Sequence, residues 1–277
     1  MLTIKKVLNS SVVLVHDEHG RESILLGKGI GYGQKPGTEV PERSTDQIFI
    51  PMANPDAKNL MDLLASIPAT YIDLTRETVR YAEAHLGVTL HPHIYLALTD
   101  HLNFAVERAR QGIPVVNRLA WEVRTFYPKE YAVGVYALNL LRERVDVDLP
   151  EEEAANIAFH ITNAHQGGDS FDAIRATKLI GAVVTIVRYA MHVQFTEDDL
   201  HYSRFISHMQ YFAARFFTNR MLVSADDFLY TQIANRYPDA VECAERVRTH
   251  ILTEYNEALP NEEVAFLAVH IQRLSTP

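Results

Sequence analysis

The sequence predicts a multidomain protein in which a small all-β N-terminal domain precedes two homologous all-α helical-bundle domains. Three observations predict this plan. The apolar residues of the first 55 positions occur in short runs rich in β-branched residues, as in strands. From residue 56 onward they recur at helical spacing. The helical part also repeats itself after about 110 residues, which is the length of a whole domain rather than of a solenoid repeat.

The N-terminal segment predicts four short strands separated by turn signals, at residues 3–8, 12–16, 22–26 and 47–50. A domain this small rarely buries enough apolar surface alone, so we expect it to dimerise. Between the third and fourth strands, residues 27–33 carry glycine at alternate positions. Such a stretch lets the backbone bend sharply and approach a partner closely.

The rest of the chain predicts a linker and then two sets of five helices. Pro51 and Pro55 mark the boundary, so the predicted parts are residues 1–55, a linker at 56–69, a first bundle at 70–170 and a second at 171–277. The helices predicted in the first bundle cover residues 75–86, 100–111, 122–126, 129–144 and 154–164. Those predicted in the second cover residues 172–192, 200–217, 224–236, 240–256 and 262–274.

Composition and charge exclude several classes of protein. No apolar run reaches the length of a membrane span, and the N-terminus lacks the pattern of a signal peptide. The single cysteine, Cys243, excludes an intrachain disulfide and a cysteine-based zinc site. We therefore expect a cytoplasmic protein. The net charge of −9 falls on residues 56–277, whereas residues 1–55 are neutral, so a nucleic-acid site would belong to the N-terminal domain.

Four histidines occupy matching positions in the two copies of the repeat. His101 and His208 are 107 residues apart, and His160 and His270 are 110 apart. The same offsets relate Phe104 to Tyr211, Arg108 to Arg215, and Glu152-Glu153 to Glu262-Glu263. The second histidine of each copy interrupts an apolar helix, at a cost in packing or desolvation. The repetition favours a chemical role, with a hydrogen-bonded core histidine as the alternative.

Reversible phosphorylation is the chemistry that fits this repetition best. A helical metal site needs a ligand one turn away, but Glu153 precedes His160 by two turns, more than ~10 Å by rise. Acid–base catalysis would need one site with specialised residues, whereas two similar copies indicate that the protein receives the same kind of regulatory signal at two sites. Imidazole is a usable nucleophile near neutral pH, and a phosphoryl group adds up to about two negative charges. From these residues alone, the metal and structural alternatives stay open.

Six segments together carry a specific family resemblance. They are KVLNSSV at residues 6–12, GKGIGY at 27–32, DHLNF at 100–104, WEVRTFYPKEY at 121–131, HMQYFAAR at 208–215 and VHIQRL at 269–274. Over essentially its whole length the chain resembles transcriptional antiterminators of the BglG/SacY/LicT type. This resemblance implies an RNA-binding co-antiterminator domain followed by two regulation domains of the phosphotransferase system (PTS).

The resemblance implies a homodimeric antiterminator without enzymatic activity, cofactor or metal. Its N-terminal domain would hold an RNA hairpin that overlaps a terminator in the leader of a sugar-utilisation operon, so that transcription continues. The implied RNA contacts are Lys6, Asn9, Ser11, Gly27, Lys28, Gly29 and Tyr32. The implied phosphorylation sites are His101 and His160, modified by the sugar-specific enzyme II, and His208 and His270, modified by HPr.

Three of the RNA-contact positions depart from the usual family residues. Ser11 stands where asparagine is usual, Lys28 where arginine is usual and Tyr32 where phenylalanine is usual. Lysine lacks the planar fork of arginine and serine has a shorter reach than asparagine, so we expect a lower RNA affinity or a different target. Without the resemblance, each position has a second interpretation that is as well supported as an RNA contact. Tyr32 would then be a residue of the dimer core, and Lys28 would be a solvated turn residue.

Two other classes are kept as alternatives. One is a PTS-regulated DNA-binding activator, although such proteins carry helix-turn-helix segments where this N-terminus predicts strands. The other is a histidine-ligated metalloprotein, which would contain stoichiometric metal after purification.

Overall fold

The computed structural model describes residues 1–40, 48–51, 66–166, 172–194 and 199–274. Within these residues the chain forms a five-stranded antiparallel sheet followed by ten helices. Two compact units result, one of residues 1–120 and 127–169 and the other of residues 121–126 and 170–277. The predicted fold class is confirmed, with a small β domain followed by two helical domains. The predicted linker at 56–69 lies mostly outside the described residues.

The sheet has the order β4-β1-β2-β3-β5, with antiparallel pairing throughout. Its strands are β1 (Leu2–Asn9), β2 (Val12–His16), β3 (Glu22–Leu26), β4 (Glu39–Val40) and β5 (Ile48–Pro51). Four of the five strands correspond to the predicted ones. The prediction missed β4, because a strand of two residues has too few positions to show an alternating pattern.

Successive side chains of a strand point to opposite faces, and both faces of this sheet are buried. One face carries four apolar side chains, Val12, Leu14, Ile24 and Leu26. They pack against Ile72 and Leu96 of the first helical bundle, within the same compact unit. The opposite face, which includes Val13, Val15 and Leu25, packs with Val40 and Ile30.

Five helices follow the sheet among the described residues up to 166. They are α1 (Ala69–Leu86), α2 (Ile94–Arg110), α3 (Ala120–Phe126), α4 (Pro128–Val145) and α5 (Glu152–Gln166). Helices α1, α2, α4 and α5 share one apolar core. Helices α4 and α5 approach closely at Gly134, where an added Cβ would lie 2.2 Å from the carbonyl oxygen of Ala154. Any side chain at this position would clash, so glycine allows α4 and α5 to pack this closely.

Five further helices form most of the second unit. They are α6 (Ala173–Met191), α7 (Leu200–Phe217), α8 (Phe228–Arg236), α9 (Pro238–Tyr255) and α10 (Asn261–Leu274). Asp172 and Asp199 accept hydrogen bonds from backbone amides at the starts of α6 and α7, as N-cap residues do. Helix α9 begins with proline and ends at Asn256 in the left-handed conformation, and α4 likewise begins with proline and ends at left-handed Asp146. The internal repeat therefore extends to the helix ends.

Helix α3 packs in the second unit, although it lies within the sequence range predicted for the first bundle. Val123 and Phe126 are buried there, and Gln210 of α7 donates a hydrogen bond to the carbonyl of Phe126. Gly181 of α6 lies against the same aromatic ring. No helix among the described residues is long and apolar enough to cross a membrane.

Candidate RNA-binding surface and paired histidine sites

The predicted RNA contacts meet where the turn between β1 and β2 touches the glycine-rich loop after β3. Ser11 N donates to Asn9 Oδ1 at 2.8 Å, and Gly27 N donates to the carbonyl of Ser11 at 2.9 Å. At Gly31, an added Cβ would lie 2.1 Å from the carbonyl oxygen of Asn9. Glycine at this position therefore allows the loop to lie against the turn, where Gly31 N donates to the carbonyl of Ser10 at 3.0 Å. Gly29 has a positive φ of 70°, a conformation that suits glycine.

The exposure of these residues divides them into two groups. Tyr32 is 81% exposed, so its ring is not part of the sheet's own core. Lys6, Lys28 and Gly29 are also exposed. Ser11 is 3% exposed, and its backbone supports the turn and the loop. The loop therefore presents an aromatic ring and a cation to solvent, on a base formed by the turn.

The first repeated histidine pair joins helices α2 and α5. The rings of His101 and His160 have centroids 4.8 Å apart and are tilted by 46°. Burial, with a smaller contribution from His101, lowers the pKa of His160 to about 4. The ring of His160 is therefore uncharged at neutral pH and keeps a lone pair on one nitrogen.

Arg108, two helical turns after His101 on α2, meets Glu153, which is two turns before His160 on α5. Their charged groups form an ion pair, and the Glu153 side chain is 0% exposed. Asn156 Nδ2 donates to Glu153 Oε2 at 2.8 Å, and His101 Nε2 lies 3.2 Å from the same oxygen. Burial alone would raise the pKa of the Glu153 carboxyl, but His101, Asn156 and Arg108 outweigh it and lower the pKa to about 2. Glu153 is therefore a buried carboxylate that connects the arginine with the first histidine.

The second repeated pair joins helices α7 and α10 in the second unit. The rings of His208 and His270 are stacked, with centroids 3.6 Å apart and planes 26° from parallel. Burial, with contributions from His208, Arg273 and Arg215, lowers the pKa of His270 to about 4. Burial and the charges of Arg273 and Arg215 also lower the pKa of His208.

An arginine–glutamate pair accompanies the second histidine pair as well. Arg215 donates through Nε and Nη2 to the two carboxylate oxygens of Glu263, at 2.9 and 2.7 Å. The backbone amide of Leu222 donates to Glu263 Oε1 at 2.9 Å. Each bundle therefore has one helix that carries His and Arg seven residues apart and a facing helix that carries Glu and His seven residues apart. Because residues at this spacing share one helix face, both pairs form between antiparallel helices.

The structure brings all four predicted histidines into two pairs and adds two residues to each. From the sequence, Glu153 was considered only as a metal ligand together with His160, and these two residues are too far apart on their helix. The residue that Glu153 contacts is His101, on a different helix. Asp100, next to His101 in the sequence, is exposed. The signal for these partners was present in the sequence, because Arg108 and Glu153 recur at the repeat offsets as Arg215 and Glu263.

Comparison with known proteins agrees with this architecture. The CAT RNA binding domain family matches residues 2–58, and the PRD domain family matches residues 76–164 and 182–274. A solved structure, the crystal structure of GlcT CAT-PRDI, superposes with a TM-score of 0.54 at 30% identity and covers 59% of this chain and 98% of that chain. These matches define a regulatory RNA-binding protein that has one CAT domain and two PRD domains.

The full-length relatives specify the family. The transcription antiterminator LicT of Bacillus subtilis is 36% identical over 99% of both chains. The β-glucoside operon antiterminator of Dickeya chrysanthemi is 35% identical over 99% of this chain and 96% of its own. Protein GlcT of Staphylococcus haemolyticus is 27% identical over 97% of this chain and 94% of its own. The chain belongs to this family of transcription antiterminators and is a regulator rather than an enzyme, which sets aside the DNA-binding activator and the metalloprotein.

Proposed function

We propose that this antiterminator acts as a homodimer that holds an RNA hairpin overlapping a terminator, and that phosphorylation of four histidines controls it. The Dickeya relative is named for a β-glucoside operon. We therefore assign the RNA target to the leader of a sugar-utilisation operon of that class. The observation that carries the switch is the pairing of His101 with His160 and of His208 with His270.

RNA recognition is assigned to the surface formed by the β1–β2 turn and the glycine-rich loop. Tyr32 is exposed and available to stack on an unpaired base, and Lys28 is available to contact phosphate. Asn9 lies in the turn that supports this loop, and Gly31 keeps the two segments in contact. Lys6 adds an exposed cation on β1.

Phosphorylation is assigned to the paired histidines because each site combines nucleophilic and cationic groups. His160 and His270 have a pKa lowered to about 4, so each ring has a free lone pair at neutral pH. Arg108 and Arg215 are each joined by an ion pair to the glutamate of their own bundle. A phosphoryl group adds up to about two negative charges, which changes the electrostatic interaction between the arginine and the carboxylate of such a pair.

Two donors are proposed for the two domains, following the family resemblance. The sugar-specific enzyme II phosphorylates His101 and His160 when its sugar is absent, and this inhibits antitermination. HPr phosphorylates His208 and His270, and this activates it. The first modification reports a missing substrate and the second reports the phosphorylation state of the general transport machinery.

Phosphotransfer in vitro tests this proposal. The full chain would be incubated with phosphorylated HPr or phosphorylated enzyme II, and the sites mapped under conditions that preserve acid-labile phosphohistidine. We expect label on His208 and His270 from HPr and on His101 and His160 from enzyme II. His201, an exposed histidine outside the repeated pairs, is the control and should stay unlabelled. Absence of label from all four paired histidines would contradict the proposed switch.

A further inference from the structure

The two histidine pairs differ in what their buried carboxylate touches. In the first domain, Glu153 Oε2 lies 3.2 Å from His101 Nε2 and also accepts from Asn156 Nδ2. In the second domain, Glu263 accepts from Arg215 and from the backbone amide of Leu222. Among the residues that the structure describes, no ion pair joins Glu263 to His208. The first domain therefore has a carboxylate against its leading histidine that the second domain lacks.

A carboxylate at this position determines which imidazole nitrogen carries a proton. An unprotonated Nε2 would bring its partial negative charge within 3.2 Å of the negatively charged Glu153 Oε2, and the two atoms would repel. A protonated Nε2 instead places its hydrogen beside the carboxylate, which attracts it electrostatically; the angle at Nε2 does not reach hydrogen-bond geometry, and the buried Nε2 has no other acceptor among the described residues. The burial of Glu153, at 0% exposure, limits screening of this interaction by water. His101 is therefore held as the tautomer with hydrogen on Nε2 and a lone pair on Nδ1.

We propose that Glu153 is a positioning residue that fixes the Nε2–H tautomer of His101 and so directs the incoming phosphoryl group to Nδ1. This inference rests on the proposed phosphorylation of His101. Glu153 does not touch the transferred group in this scheme. It acts through the imidazole ring, and its partners Arg108 and Asn156 hold its carboxylate in place.

The transfer step balances without an additional reactant. The Nδ1 lone pair of His101 attacks the phosphorus of a donor phosphohistidine whose other ring nitrogen is protonated. The N–P bond of the donor breaks, and its electron pair returns to the donor imidazole, which leaves as a neutral ring. His101 then carries phosphate on Nδ1 and still carries hydrogen on Nε2, so its ring is cationic. Glu153 lies next to this cation and stabilises it.

The tautomer can be measured before any phosphate is added. In ¹⁵N-histidine-labelled full chain, long-range ¹H–¹⁵N spectra distinguish a protonated ring nitrogen from an unprotonated one, and a His101→Gln variant identifies the signals of His101. We expect Nε2 protonated in the parent protein. Glu153→Gln should shift His101 toward the Nδ1–H tautomer, because the glutamine amide can donate to Nε2. Glu263→Gln is the matched control and should leave His101 unchanged.

The phosphorylated protein provides the second measurement. Phosphate on His101 of the parent protein should be on Nδ1, and Glu153→Gln should move part or all of it to Nε2. Phosphate on Nε2 in the parent protein, or an isomer ratio that Glu153→Gln leaves unchanged, would overturn the proposal. If His101 accepts no phosphate at all, the proposed phosphorylation of His101 fails, whereas a protonated Nε2 in the parent spectrum would still support the tautomer assignment. The parent spectrum also decides the tautomer if Glu153→Gln does not fold.

Discussion

The ion pair between Arg215 and Glu263 gives the sharpest stability prediction for the second unit. Arg215→Met keeps most of the apolar stem but removes both hydrogen bonds to a carboxylate that is 0% exposed. Breaking a buried ion pair costs ~3–5 kcal/mol, because the remaining charge is buried without its partner. The Arg215 side chain is 29% exposed and the amide of Leu222 still binds Glu263, so we expect the lower end, about 3 kcal/mol.

This free energy corresponds to a large thermal shift. A unit of roughly 100 residues changes its melting temperature by about 4 °C per kcal/mol, so Arg215→Met should melt roughly 10–15 °C lower. The only tryptophan of the chain, Trp121, lies in α3 and therefore in the second unit. Its fluorescence follows the second unit, and calorimetry records both units.

Two variants make this test decisive. Arg246→Met removes an exposed ion pair with Glu242, whose side chains are 59% and 68% exposed, and should change the melting temperature little. The double variant Arg215→Met with Glu263→Met replaces the buried pair by apolar side chains and should recover most of the loss. If Arg215→Met lowers the melting temperature no more than Arg246→Met does, the buried carboxylate does not depend on Arg215 and the reasoning is refuted.

Three further predictions concern RNA binding and regulation. Tyr32→Ala should weaken hairpin binding by about 5- to 150-fold in a titration, because base stacking contributes ~1–3 kcal/mol, whereas Tyr32→Phe should keep most of it. Tyr189→Ala removes another exposed tyrosine as the control, and unfolding of the N-terminal domain by Tyr32→Ala would indicate a core role instead. His101→Ala should give antitermination without inducer in a reporter assay, and His208→Ala should lose activation by HPr; the opposite pattern would reverse the assignment of the two domains. The fragment of residues 1–55 should bind the hairpin with an affinity that falls as salt rises. It should do so as a dimer, because the fragment loses the helices that cover one face of its sheet. Sedimentation as a monomer at micromolar concentration would contradict that prediction.

The local spacing of apolar residues was enough to predict most of the strands and helices. Four of the five described strands and the ten described helices lie close to their predicted positions, because their apolar residues recur at a spacing that can be read along the chain. The starts of α1 and α2 were predicted about six residues late. Neither helix has a side-chain cap hydrogen bond at its N-terminus, so the usual start signal is missing.

Long-range packing is the part that local pattern did not reveal. Helix α3 follows α2 in the sequence, yet Val123 and Phe126 are buried in the second unit. Helical periodicity identifies the buried face of α3 but not the surface that covers it. The same limit applies to Glu153. Its spacing from His160 is visible in the sequence, whereas its contact with His101 depends on how α2 and α5 pack.

One difference between the repeats falls three residues after the buried glutamate of each histidine pair. The position of Asn156 in the first copy is occupied by Phe266 in the second. The Asn156 amide donates to Glu153 Oε2, the oxygen that faces His101 Nε2, and thereby holds the carboxylate beside the imidazole. Phe266 has no donor group, and Glu263 instead receives both hydrogen bonds from Arg215. Two domains with the same His, Arg and Glu residues therefore surround their buried carboxylate differently: in the first it lies 3.2 Å from the leading histidine, and in the second it accepts from the backbone amide of Leu222.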